Sequence, residues 1–173
     1  MNTYIGIDIG KKGGVACIRD GAVSIQKIPI IDSKINHEEL VNMLINLVAK
    51  ASLLCHPQDG IYIAFESTSA RPQEGVSSAF VFGLSSGGVL YTALALKHLV
   101  KEVADVMKIA PSKWKKHFGL IAPELSKYEK KKLSVAYCND KYGMELKQTE
   151  DGLADAILIA QYVQDIIENG EQE

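Results

Sequence analysis

Residues 3–9, TYIGIDI, set one carboxylate, Asp8, inside a run that is otherwise apolar at nearly every position. Such a run reads as a central β-strand, covered on both faces. Alternation turns Asp8 to the face opposite Ile7 and Ile9. A charge there is costly unless something pairs with it. Either Lys11 or Lys12 of the following turn pairs with it, or Asp8 belongs to a site.

The rest of the chain builds outward from that strand. Gly10, Gly13 and Gly14 make a tight turn. Val15–Arg19 and Ala22–Ile28 are strands joined by Asp20-Gly21, a two-residue hairpin signal. Asn36 caps a helix, with Glu38 and Glu39 in its first turn and Leu40, Leu44, Leu47 and Val48 on one face, running to about Leu54. Pro57 and Gly60 end it. Ile61–Phe65 is a fourth strand that runs into Glu66, and the polar loop Ser67–Gly75 leads to a long apolar helix, Ser77 to about Val100. Val103–Ile109 is a fifth strand, Pro111 and Ser112 open a short helix, and Glu124–Tyr142 and Thr149–Glu168 are helices, the last capped by Thr149. The order βββαβαβ followed by helices predicts an α/β fold, one five-stranded mixed sheet with helices on both faces. With 173 residues and no repeat or linker, a single domain over 1–173 is expected.

Composition narrows the setting. Three cysteines without a CxxC pair argue against a disulfide scaffold or a zinc site. The stretch Ser77–Val100 is interrupted by Gly83, Gly87 and Gly88, so a buried helix is expected there and no membrane partner. A strand at the very start leaves no room for a signal peptide, and a cytoplasmic protein is expected. The net charge of −2 hides an asymmetry: Lys97–Lys132 holds ten lysines and four acids, and the other residues sum to −8. A basic stretch beside an acidic site suits a phosphate-binding surface, and a solvated helix face explains the charge equally well.

Three further carboxylates stand where chemistry would want them. Glu66 lies at the carboxyl end of the fourth strand, the end where open α/β sheets bind ligands. Asp151 and Asp155 are four apart on the last helix and share a face, amid small and apolar residues. Asp151 could serve the helix N-terminus, but Asp155 lies too far in for that role. Four carboxylates gathered at one end of a sheet repel by several kcal/mol unless cations sit between them. Mg²⁺ or Mn²⁺ suits such hard oxygen ligands, and two ions ~4 Å apart serve phosphodiester hydrolysis.

The motifs GIDIGKKGGVACI, AFES, PSKWKKHFG and EDGLADAILIA, in this order and spacing, resemble the RuvC-like Holliday junction resolvases of the ribonuclease-H-like superfamily, and most closely their plastid and phage branch. The resemblance spans about Tyr4–Tyr162. It implies a ribonuclease-H-like fold and a Mg²⁺-dependent endonuclease that cuts four-way DNA junctions. It also implies that Asp8, Glu66, Asp151 and Asp155 bind two metal ions per site. The bacterial enzyme spaces its last two acids by three; here Gly152 occupies that position, Asp151 takes the four-residue spacing of the plastid type, and Glu150 is its nearest rival.

DNA contacts are expected from Lys113 and Lys116 on the short helix, from Lys11 and Lys12 in the glycine turn, and from Arg71 in the loop after Glu66. Lys115 is expected to point elsewhere, Trp114 to pack beneath the helix, and His117 to take a core or surface role rather than that of a base. Lys130–Lys132 reads equally as a DNA contact or a solvated face. Small residues along the long helix allow close approach of a second copy, and a junction with two-fold symmetry calls for a C₂ homodimer. Two alternatives share parts of this pattern. One is a related nuclease of RNA–DNA hybrids or other branched DNA. The other is an actin-like or sugar-kinase-like phosphotransferase, which shares G-I-D-I-G but normally duplicates the βββαβαβ unit.

Overall fold

The computed structural model describes residues 1–67 and 75–170, with all their side chains except those of residues 127, 128 and 131. Arg71 falls outside the described residues. The elements in chain order are β1 (Thr3–Asp8), β2 (Gly14–Arg19), β3 (Ala22–Lys27), β4 (Ile30–Ile31), β5 (Lys34–Ile35), α1 (His37–Leu54), β6 (Ile61–Glu66), α2 (Val76–Leu99), β7 (Val103–Ile109), α3 (Pro111–His117), α4 (Lys127–Tyr142) and α5 (Asp151–Asn169).

The main sheet has the order β3-β2-β1-β6-β7, with an antiparallel meander on one side of β1 and parallel partners on the other. This is the five-stranded mixed sheet expected. Asp20 and Gly21 both take left-handed conformations (φ 53° and 75°), which closes β2 onto β3 in a tight hairpin. A second small hairpin, β4-β5, was not anticipated. Its turn, Asp32-Ser33, adopts the same left-handed region without a glycine to signal it (φ 48° and 60°).

The sheet is covered on both faces. Ile5, Ile7, Ile63 and Phe65 pack against Leu40, Leu44 and Val48 of α1 and Val89 and Ala93 of α2. Tyr4, Ala16, Ile18 and Ala64 pack on the other face against α5, with Trp114 of α3 and Val135 and Cys138 of α4 behind it. Alternation along β1 therefore sends Ile5 and Ile7 to one layer and Asp8 toward α5. Burying side chains such as Ile157, Leu158 and Ile159 contributes ~1.5–3 kcal/mol each.

Three expectations need correction. The helix over residues 76–99 is not buried: only Ser85, Val89, Ala93 and Leu96 are, while Val76, Phe80, Leu84, Tyr91 and Leu99 are exposed. One stripe meets the sheet and α1, and nothing in this chain covers the opposite face among the described residues. By length and composition this helix could cross a membrane, because three glycines lower its hydropathy too little to interrupt it. Next, α4 starts at Lys127 rather than Glu124, fixed by a capping box between Ser126 and Glu129. Finally, Thr149 is not a helix cap; it lies in a single 3₁₀ turn, Gln148–Glu150, that leads into α5.

The tightest packing in the fold is between α5 and β1. A Cβ on Gly6 would sit 2.2 Å from the carbonyl oxygen of Ala156, and one on Gly152 would sit 2.1 Å from that of Lys12. Gly13 and Gly152 form a backbone bridge, and Gly14 lies against Leu153. Helix and sheet backbones approach this closely only because these positions lack side chains. Gly6→Ala is expected to cost about 3 kcal/mol or more in a denaturant melt. Gly83→Ala, where a Cβ meets open space on α2, is expected to stabilise by about 0.5–1 kcal/mol.

Candidate active site

Asp8 ends β1 and Glu66 ends β6. The two strands run parallel in a register that pairs Ile7 with Phe65, so the next rung sets Asp8 beside Glu66. Neighbouring strands lie ~4.8 Å apart. From the α5 side, every residue from Gly152 to Val163 is buried except Asp155. The glycine contacts hold that helix onto β1 and β2, which brings Asp151 and Asp155 over the carboxyl end of β1.

The electrostatics report this convergence. Burial pushes the Asp8 carboxyl up from its ordinary range to about 8, and the negative charges of Asp155, Glu66 and Asp151, in that order, add to it. Asp155, Glu66 and Asp151, brought in on β6 and α5, thus all act on Asp8. Glu150, the rival to Asp151, is committed elsewhere. It forms an ion pair with Lys27 at 2.8 Å and accepts from the Lys147 backbone N–H at 3.0 Å. Those bonds, with Lys27 first, hold its carboxyl below the usual range.

The positive charge of Lys115 acts against these effects at Asp8. Trp114 is fully buried, and on a helix each residue turns by about 100°. Lys115 leaves the flank of α3 with its Nζ 4.8 Å from the centre of the Trp114 ring. Lys113 and Lys116 lie exposed on the same helix, and Lys11 and Lys12 lie exposed on the turn between β1 and β2. His117 is turned to Asp165, with Nε2 2.8 Å from Oδ2, so its ring serves the α3–α5 contact. Lys130 donates to the carbonyl of Pro123 at 3.3 Å.

No family model matches the chain, and no curated protein matches it by sequence. Its structure matches that of Thermus thermophilus RuvC, solved in complex with a Holliday junction substrate, with a TM-score of 0.60 over 97% of this chain and 96% of that one, at 18% identity. This chain has the RuvC fold. The RuvC match spans both the sheet and the closing helix that carries Asp155, and it confirms the ribonuclease-H-like architecture. The yeast mitochondrial Holliday junction resolvase Ydc2 matches more loosely, with a TM-score of 0.47 over 91% of this chain and 75% of that one, at 15% identity.

A carboxyl group raised to about 8 in the fold and ionising near 4 when unfolded makes folding pH-dependent. Between those values the native state holds a proton that the unfolded state has released. Without added metal, stability is therefore expected to fall as pH rises from about 4 to about 8, at up to ~1.4 kcal/mol per pH unit. Asp8→Asn should flatten this dependence in thermal melts recorded across that range.

Proposed function

We propose that this protein is a Mg²⁺-dependent Holliday junction resolvase, an endonuclease that cuts four-way DNA junctions by phosphodiester hydrolysis. The observation that carries the reading is the convergence of the other three acids on Asp8, whose carboxyl is pushed up to about 8 by burial first and then by the charges of Asp155, Glu66 and Asp151. The RuvC fold supports it, since the acids stand at the carboxyl ends of β1 and β6 and on the closing helix. The four-residue spacing of Asp151 and Asp155 supports the plastid and phage branch.

A metal suits this donor set. Carboxylate oxygens are the ligands that Mg²⁺ and Mn²⁺ prefer, and a divalent cation would offset the negative charges that Asp155, Glu66 and Asp151 bring to Asp8. As the side chains stand, no three His, Cys, Asp or Glu among the described residues are grouped to hold one ion. The fit therefore rests on donor chemistry and charge. Asp8, Glu66, Asp151 and Asp155 would hold Mg²⁺, as two ions per site. Bound there, it would supply an activated water and stabilise the leaving oxygen. The chain's own residues supply the rest. Lys115 offers a positive charge to the scissile phosphate. Lys11, Lys12, Lys113 and Lys116 can track the flanking backbone, and Arg71 is proposed to contact the crossover.

Two symmetric incisions need two sites, and the exposed face of α2 supports a homodimer. Phe80, Leu84 and Tyr91, with Gly87 between them, follow a helical seam with a gap for close approach. The proposed setting is the cytoplasm, on the nucleoid, or the host's cytoplasm for a phage protein. The deciding experiment incubates the protein with a four-way junction, a linear duplex and an RNA–DNA hybrid, with and without Mg²⁺. Cutting is expected only for the junction and only with metal; preferential cutting of the hybrid would overturn the substrate assignment. Asp8→Asn, Glu66→Gln and Asp155→Asn should each lower cutting more than about a hundredfold while junction binding persists. Leu84→Lys should yield monomers by light scattering, and single nicks in place of paired cuts.

A further inference from the structure

A groove of about 380 Å³ lies between the turn that follows β1, the β4-β5 hairpin and the first half of α2. Gly10 and Lys11 form one wall, Ile35 another, and Ser78, Phe82 and Ser85 a third. Those three α2 residues follow at helical spacing and share one side of the helix. At about 100° per residue, that side lies roughly opposite Phe80 and Leu84. A second copy seated on the Phe80–Leu84 seam therefore leaves the groove open. Ile35 and the half-buried Phe82 give the groove apolar walls, while Ser77, Ser78 and Lys11 stand exposed at its rim. Ser85, at the bottom, is already committed. Its hydroxyl donates to the Val81 carbonyl at 3.0 Å and meets His37 Nε2 at 2.9 Å, which ties this wall to α1.

The groove adjoins the acids. Gly10 follows Asp8 by two residues, a reach of at most ~7 Å, so one turn of chain borders both. A stacked DNA strand advances ~3.4 Å per nucleotide, and the same reach spans about two nucleotides. The size and chemistry of the groove select what fills it. An α-helix is ~10–12 Å across, so this volume takes less than one turn of it. A flat ring fits between Ile35 and Phe82, and stacking on an aromatic wall tolerates any base. Serine hydroxyls both donate and accept, which suits the polar edge of a base. Lys11, at the rim nearer Asp8, offers its charge to the phosphate between the two positions. We propose that the groove receives one unstacked nucleobase of the DNA strand held at the acids, about two nucleotides from the phosphate that is cut. A base that is already unpaired leaves the stack most readily, so the groove favours strands opened at a crossover. Ser77, Ser78 and Phe82 are then base-binding residues, and their role in cutting rests on the reading of the acids as a phosphodiester-cutting site.

The test uses the full chain and four-way junctions that carry 2-aminopurine, a base whose fluorescence rises when it leaves the stack, at successive nucleotides on either side of the crossover. Without metal, binding of the wild-type protein should brighten the probe at one position and leave its neighbours dark. Ser78→Leu, which fills the groove from its exposed rim, and Phe82→Ala, which removes the stacking wall, should each abolish most of that rise. The salt dependence of binding, set by phosphate contacts, should stay as in the wild type. In Mg²⁺, changing the base at the brightened position should alter the single-turnover rate at least about tenfold in the wild type, and Ser78→Leu should level that preference. No brightened position, or a folded Ser78→Leu variant that keeps both the rise and the base preference, would overturn the groove assignment. Should Phe82→Ala not fold, Ser78→Leu decides alone. A wild-type protein that brightens the probe in a Ser78-dependent way but cuts nothing would defeat the nuclease reading and leave the groove assigned. Cutting without any brightened base would defeat the groove alone.

Discussion

The site depends on how closely one helix can lie on one strand. Gly6 of β1 faces the carbonyl of Ala156, and Gly152 of α5 faces that of Lys12, each at a distance that excludes any side chain. These contacts fix both the height of α5 above the sheet and its register along β1. A helix resting on ordinary side chains would stand farther off, and Asp155 would no longer share a field with Asp8. Packing on the buried face of α5 then makes the arrangement stiff, since Leu153 and the run from Ala156 to Val163 are all enclosed.

Stiffness has an electrostatic consequence. The chain buries Asp8 and concentrates three further acids around it, and burial first, then their charges, let its carboxyl hold a proton to about 8. Most proteins avoid such a cluster because each added carboxylate destabilises the folded state near neutrality. A site that uses cations turns the same repulsion into affinity for them. Lys115 partly offsets the charge, and its place on α3 links the basic segment to the acidic one.

Much of this was legible before any coordinates. Asp8 stood out because a charge in a covered strand needs a partner, and Asp155 because helix capping could not account for it. The strand 103–109 and the Asp20-Gly21 hairpin carried unambiguous local signals. Other features were left open or misread. Glu150 and Asp151 are neighbours in sequence, and only the position of Lys27 on β3 withdraws one of them from the cluster. The Asp32-Ser33 turn lacks the glycine that normally announces its conformation. The apolar helix 76–99 was read as interior because hydropathy reports what a residue prefers, not what is available to cover it.

Local sequence by itself determined the strands, the order βββαβαβ, the apolar surroundings of Asp8 and Asp155, and the identity of the four acids. Each of these follows from interactions within about ten residues, where period, capping and turn chemistry act. The tertiary structure alone decided that Glu150 is committed to Lys27, that the charge of Lys115 acts on Asp8, and that α2 keeps an apolar face uncovered among the described residues. Those outcomes depend on contacts between distant parts of the chain, among them the close approach of α5 to the sheet at Gly6, Gly14 and Gly152, which shows no period along the chain.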